Sequence, residues 1–217
     1  MSVKSAPADH TVHVLVAERW SPYGFDAGRP VADEDLESLF EAARWAPSAY
    51  NEQPWRYIVA RRADSGLFEE VLSCLVEGNR VWASFAPVLA LGVASRRFSR
   101  NGRENGTALH DLGLASANLL VEATSRGLLV HQMSGIHPGR ARELFGIPEG
   151  FDAVTGIAIG HPGRPGGLPE DLAARDLEPR TRNPLGRFVF GDRWGEPAAF
   201  LSDGSDGSVT GGGDGDE

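Results

Sequence analysis

Residues 44–59 read RWAPSAYNEQPWRYIV, and the way this stretch divides decides the fold. Pro47 stops the helix that runs into it, because proline lacks the N–H a helix needs and its ring clashes with the preceding turn. That helix is ADEDLESLFEAARWA, residues 32–46. Asp33 is its expected N-cap, and Glu34, Asp35 and Glu37 suit the positive end of the helix dipole. Leu36, Leu39, Phe40 and Ala43 recur at i, i+3, i+4 and i+7 and make one apolar stripe. After the polar loop SAYNEQP, the run WRYIVAR (55–61) has the aromatic and β-branched content of a strand.

The same alternation continues outward. Residues 9–20 predict a short helix, and SPYGFDAGRP (21–30) a Pro- and Gly-rich loop. Residues 66–77 predict a helix with Leu67, Val71, Cys74 and Leu75 on one face. APVLALGVA (86–94) is a continuous apolar run, hence a strand buried on both sides, and the polar loop RRFSRNGREN (96–105) follows it. The longest helix is expected from about Gly106 to Arg126, with Leu109, Leu112, Ser116, Leu119, Leu120 and Ala123 inside and Gly127 as its stop. LLVHQM (128–133) predicts a strand, PGRARELFG (138–146) a helix and AVTGIAIG (153–160) a strand. Residues 176–200 read as a polar arm with short apolar runs. The first eight residues and the Gly, Ser and Asp rich stretch 202–217 are expected to be disordered, leaving one domain over 9–201. A three-layer α+β fold fits this order, with helices on both sides of a sheet.

Composition narrows the function. The 217 residues carry a formal net charge of −9. Five acids of the last sixteen residues (Asp203, Asp206, Asp214, Asp216 and Glu217) account for the difference between that and the −4 of the remainder. Such a body offers nothing to nucleic acid. No run reaches the ~18 apolar residues of a membrane span, and the opening MSVKSAPADH lacks the apolar core of a signal peptide, so a cytoplasmic location is expected. The single cysteine, Cys74, leaves no intramolecular disulfide and reads as a buried structural thiol. There is no G-x-G-x-x-G, P-loop or G-x-S-x-G. The six histidines (His10, His13, His110, His131, His137 and His161) form no H-E-x-x-H, and no metal site is expected.

Three separated segments are hard to explain by packing: RWSPYGF (19–25), PSAYNEQPW (47–55) and RTR (180–182). Together with HDLGLASANLLVEATSRGLLVHQMSG (110–135) and EPRTRNPL (178–185), they resemble the nitroreductase family over about Arg19 to Pro197. The resemblance implies a three-layer α-β-α sandwich on a central, mostly antiparallel sheet. It implies a homodimer with a long interface helix and two FMN sites between the subunits. By that likeness Arg19, Ser21, Arg180 and Arg182 hold the FMN phosphate, with Trp20 and Tyr23 beside them. Charge-assisted arginine bonds, roughly 1.5–3 kcal/mol each, suit that role. Pro47, Ser48, Ala49 and Asn51 match the loop that lies against the isoalloxazine ring from the other subunit, with Gln53 bracing it. Asn79 matches a residue reaching the ring's pyrimidine edge. Met133, Ser134 and Gly135 match a loop passing the reactive edge, where a backbone N–H bonds N5 and glycine permits close approach.

The implied activity is hydride transfer from NAD(P)H to FMN, then reduction of a small acceptor such as a nitroaromatic or quinone in the same slot. No side chain need act as acid or base, so no catalytic residue is named. This sequence departs from the family where Tyr23 and Trp82 stand in place of usual or frequent cations, and the two aromatics are read as shaping a pocket for a flat acceptor. Other readings stay open: a specialised flavoenzyme of the same fold (a reductive dehalogenase or flavin-cleaving enzyme), a non-enzymatic FMN-binding or redox-sensing protein, or an interaction domain without ligand. The segment RRFSRNGRENG (96–106) is the sole candidate for a lid.

Overall fold

The computed structural model describes residues 4–164 and 166–201. They fall into two units, one ending at Arg180 and the other beginning at Thr181. The acidic stretch 202–217 expected to be disordered lies outside the described residues, as do residues 1–3.

The first unit is built on four strands, β1 (Trp55–Arg61), β2 (Val88–Ser95), β3 (Leu129–Met133) and β4 (Phe151–Gly160). Their order is β1-β2-β4-β3 and every pairing is antiparallel. Period-two alternation sends successive side chains to opposite faces. On one face lie Leu89, Leu91, Val93, Ala153, Ala158 and Met133, under α3 (Ser65–Ser73), α4 (Glu77–Ala83) and α6 (Pro138–Phe145). On the other lie Trp55, Val88, Ala90, Ala94, Ile157 and Ile159, under α2 (Asp33–Arg44) and α5 (Ala108–Ser125). This is the expected α+β sandwich. Because helices cover both faces, β2 is apolar at nearly every position although its sheet is antiparallel. At its centre Gly92 marks a register shift, where a Cβ would come 2.8 Å from the Thr155 methyl.

Several local expectations shift. The first helix shortens to α1 (Val14–Glu18). Ala32, not Asp33, is the N-cap of α2, and Asp33 becomes the first of three acids in its opening turn. The helix expected over 66–77 breaks at Cys74, because Leu75 pairs with Ile136 and the Cys74 carbonyl accepts the His137 N–H. On α5 the buried stripe is Ala108, Asp111, Leu112, Ala115, Ser116, Leu119 and Ala123. Leu109, expected inside, is 47% exposed. Cys74 is fully buried, and burial pushes its thiol pKa up. A short helix, α7 (Glu170–Arg175), leads to the end of this unit. The second unit holds a 3-10 turn at Leu185–Arg187 and a bridge between Phe190 and Pro197.

Leu91, fully buried in the central strand, tests the two-sided core. Leu91→Ala is expected to lower unfolding free energy by about 2–5 kcal/mol, read from the shift in urea midpoint at unchanged slope.

Candidate functional site

The segment after α1 is stitched to the far edge of the sheet. Arg19 is the C-cap of α1, and its Nη1 donates to the Ser21 hydroxyl at 3.1 Å. The next turn is held by Asp176, whose carboxylate accepts the N–H of Tyr23 (2.9 and 3.1 Å) and of Gly24 (2.8 Å). Gly24 has to be glycine, since a Cβ would lie 2.4 Å from the Gly163 carbonyl oxygen. The Pro22 carbonyl lies 2.8 Å from His131 Nδ1 on β3. A carbonyl can only accept, so Nδ1 carries the proton.

Around that imidazole an aromatic cluster forms. His131 stacks on Trp82 with ring centroids 4.4 Å apart, and Tyr23 sets its edge against both. Trp82 is 1% exposed and also stacks on Phe25. The expectation that Trp82 lines an acceptor pocket is therefore overturned: its indole fills the core. Tyr23 is half-buried, and the Arg175 guanidinium beside it is held more firmly in its charged form by that contact. Trp20 is half-buried under the Lys4 ammonium, 5.2 Å from the ring centroid, and opens on a cleft of about 500 Å³ walled by Gly24, Gly163, Leu168, Asp176 and Leu177.

Arg180 returns to the start of the chain. Its Nη1 donates to the Ala17 carbonyl and, at 3.2 Å, to that of Lys4. Arg180 thus bonds the last turn of α1 at Ala17, two residues before Arg19 in the chain. Arg182 belongs to the second unit, where its Nη1 donates to the Thr181 carbonyl at 2.7 Å.

The loop after α2 is strained. Tyr50, Asn51 and Gln53 have φ of 55°, 55° and 51°, a left-handed conformation costing roughly 1–2 kcal/mol per residue with a side chain. Such strain persists only where surroundings impose it. Here Ser48 Oγ accepts the Gln53 N–H at 3.0 Å, leaving its own O–H to donate elsewhere, and Gln53 Nε2 bonds the Asn51 carbonyl at 3.1 Å. Gln53 therefore does brace the loop. Beneath it Asp111, 2% exposed, accepts the Ala49 N–H at 3.2 Å and the Thr107 hydroxyl at 3.2 Å. Pro47 and Asn51 are exposed.

Residues 133–135 leave β3 against α4. The Met133 side chain is in the core at 6% exposure, so this residue has only its backbone to offer a ligand. Ser134 is exposed. The Gly135 carbonyl accepts from Val76 N–H and from Asn79 Nδ2, both at 3.0 Å. A Cβ on Gly135 would lie 2.5 Å from Asn79 Nδ2. Asn79 thus uses its amide nitrogen to fix the loop.

Sequence reading missed Asp111, Asp176 and His131. Asp111 did carry a signal, a charged residue within the apolar stripe of α5. Asp176 carried none.

The sequence profile of the Nitroreductase family matches residues 16–161. An uncharacterized 15.4 kDa protein of Mycolicibacterium smegmatis is 36% identical over 152 residues, 65% of this chain and 99% of its own. A Streptomyces coelicolor protein, provisionally named an NADH dehydrogenase/NAD(P)H nitroreductase, is 29% identical over 70% of this chain and 83% of its own. A crystal structure of an oxidoreductase containing FMN superposes with a TM-score of 0.81 at 35% identity, covering 87% of this chain and 96% of that one. Fold and comparisons together define an α+β oxidoreductase of the three-layer sandwich class. The chain belongs to the Nitroreductase family.

Two predictions test the local physics. Burial pushes the His131 pKa below the ordinary 6.5, and the Pro22 carbonyl and Asp176 only partly oppose it. His161 is pushed down as well, chiefly by burial. As pH falls through 6.5 the unfolded chain therefore takes up protons before the folded one, and stability declines. Denaturation midpoints are expected to fall between pH 7.5 and 5.5, and to fall less in His131→Gln; equal pH slopes would remove His131 from this account. Separately, Asp111→Ala leaves the Ala49 N–H unpaired, while the Thr107 hydroxyl keeps Asn105 Oδ1 at 2.9 Å, and is expected to cost about 1–3 kcal/mol. Asp111→Asn, which keeps an acceptor, is expected to cost less in the same urea titration.

Proposed function

We propose that the protein is an FMN-dependent oxidoreductase that takes hydride from NAD(P)H and reduces small acceptors such as nitroaromatics or quinones. The observation that carries this reading is Arg180 bonded to Ala17, which brings its guanidinium to the end of α1 that bears Arg19 and Ser21. These donors suit a phosphate, and a chain of net charge −9 needs such a local concentration of guanidinium to hold an anion. Arg19, Ser21 and Arg180 would hold the phosphate, with Trp20 and Tyr23 adjoining. Pro47, Ser48, Ala49 and Asn51 would lie against the ring, Ser48 donating its spare O–H. Asn79 would set the 133–135 loop so that a backbone N–H of Met133, Ser134 or Gly135 faces the reactive edge. Bound FMN would supply the redox chemistry of a ping-pong cycle between NAD(P)H and the acceptor.

The ring-facing loop would serve the site of a second copy in a homodimer. Exposed apolar side chains support such an interface, among them Val12, Val14 and Val16 at α1, Trp45 after α2, and Leu109 on α5. Among the described residues no helix is long and apolar enough to cross a membrane, and the proposed place of action is the cytoplasm.

The purified protein is expected to show a bound-flavin absorbance spectrum with one FMN per chain, to bleach anaerobically with NADH or NADPH, and to give parallel double-reciprocal lines. Arg19→Ala or Arg180→Ala is expected to raise the FMN Kd by about 10–100-fold, the worth of one charge-assisted bond. A folded protein that takes up no added FMN would overturn the proposal, and intersecting lines would overturn the ping-pong cycle.

A further inference from the structure

The loop between β2 and α5 is the most basic segment of an acidic chain. Residues 96–104 hold Arg96, Arg97, Arg100 and Arg103 against one acid, Glu104. Its backbone closes on itself: Phe98 N–H bonds the Arg103 carbonyl, Gly102 N–H the Phe98 carbonyl, and Asn105 N–H the Arg96 carbonyl. Two of the arginines are committed locally. Arg96 lies 3.9 Å from Glu104 and 3.5 Å from Asp152, and Arg97 donates to the Gly102 carbonyl. Arg100 and Arg103 face no carboxylate partner among the described residues.

This loop is fastened to the strained 47–53 loop. Glu52 accepts the Ser99 N–H at 2.7 Å and the Ser99 hydroxyl at 3.3 Å. Tyr50 and Phe98 meet edge to face at 5.8 Å. The Arg100 guanidinium carbon lies 3.8 Å from the Tyr50 ring centroid and 5.4 Å from that of Phe98. Tyr50 is the unusual member. It is left-handed at φ 55° yet 73% exposed, so its ring gives the core little burial in return for that strain. Tyrosine is a poor choice for such a position unless the ring is used at the surface.

We propose that Tyr50, Phe98 and Arg100 form an aromatic and cationic rim that favours planar acceptors carrying an anionic substituent, such as a carboxylate, over neutral acceptors of the same shape. The inference rests on the reading in which the 47–51 loop borders the flavin, since that places Tyr50 where acceptors enter. An acceptor ring packs on the exposed aromatic edges while its anion meets the Arg100 guanidinium, whose planar fork suits a carboxylate. The Glu52 carboxylate is the opposing charge, and its hydrogen bonds to Ser99 hold it in place on the loop backbone.

The test compares 4-nitrobenzoate with 4-nitrobenzamide on the purified holoprotein. Wild type is expected to show a higher kcat/KM for the carboxylate, a preference that shrinks between 0.05 and 0.5 M salt, concentrations of order those bracketing strong and weak screening. Arg100→Ala is expected to lower the ratio of the two kcat/KM values by about 3–10-fold, the scale of a partly solvated charge contact. Calorimetric titration of the oxidised protein should show the same preference as a Kd ratio. Equal use of the two acceptors by wild type, or a ratio unmoved by Arg100→Ala, would overturn the rim. A raised KM for NADPH with the acceptor ratio intact would also overturn it, assigning the cation to the dinucleotide. If neither acceptor is turned over, the proposed function fails, while the calorimetric ratio still decides the rim.

Discussion

Asp111 carries a carboxylate into the interior at 2% exposure, and much of the candidate site depends on how that charge is tolerated. Burying an ion costs several kcal/mol unless hydrogen bonds and fields replace water. Here it sits in the first turn of α5, where the helix dipole favours an anion, and it accepts from Ala49 N–H and Thr107 Oγ1. The bond to Ala49 fixes one end of the turn in which Tyr50 and Asn51 are left-handed. Ser48 and Gln53 close its other end. The longest helix thus holds the loop that follows α2, and that loop in turn holds the basic segment 96–104 through Glu52.

The sheet explains why these pieces arrive at the same places. With β2 at the centre and buried on both faces, α2 and α5 must share one layer, and α3, α4 and α6 the other. Asn118 Nδ2 bonds the Ala42 carbonyl at 3.1 Å and so ties α5 to the end of α2 immediately before the strained loop. On the opposite face α4 presses Asn79 and Val76 onto Gly135 at the end of β3.

Much of the layer structure was legible because periodicity is local. WRYIVAR is β1 residue for residue, and the continuous run 86–94 announced a strand covered on both sides. The break at Cys74 was not legible, since Leu75 is drawn off the helix by a strand partner 61 positions along the chain, at Ile136. Leu109 fits the apolar face by spacing yet is exposed, because spacing alone cannot say where the partner layer ends. The site divides in the same way. Ser48, Gly135 and Arg180 were legible as positions in motifs. Their supports were not, because Asp111 and Asp176 act on residues 62 and up to 153 positions away. Trp82 was misread for a related reason: an indole at the end of a short helix says nothing of the imidazole it stacks upon.

The corner around Tyr23 shows how anion binding is divided in this molecule. The amides of Tyr23 and Gly24 form the kind of paired donor that elsewhere cradles an anion, but the Asp176 carboxylate already occupies them. An incoming anion meets side-chain donors at this corner instead. His131 is a poor one, since burial disfavours the charged form of its imidazole and Arg19 adds to that effect. At position 23, where family resemblance leads one to expect a cation, stands Tyr23, with Arg175 beside its side chain. In the proposed reading a phosphate is gripped by guanidinium, at Arg19 and at Arg180. Arginine keeps its charge at any working pH, so in the proposed reading the hold on FMN phosphate stays constant across the range in which the neighbouring histidines erode the stability of the fold.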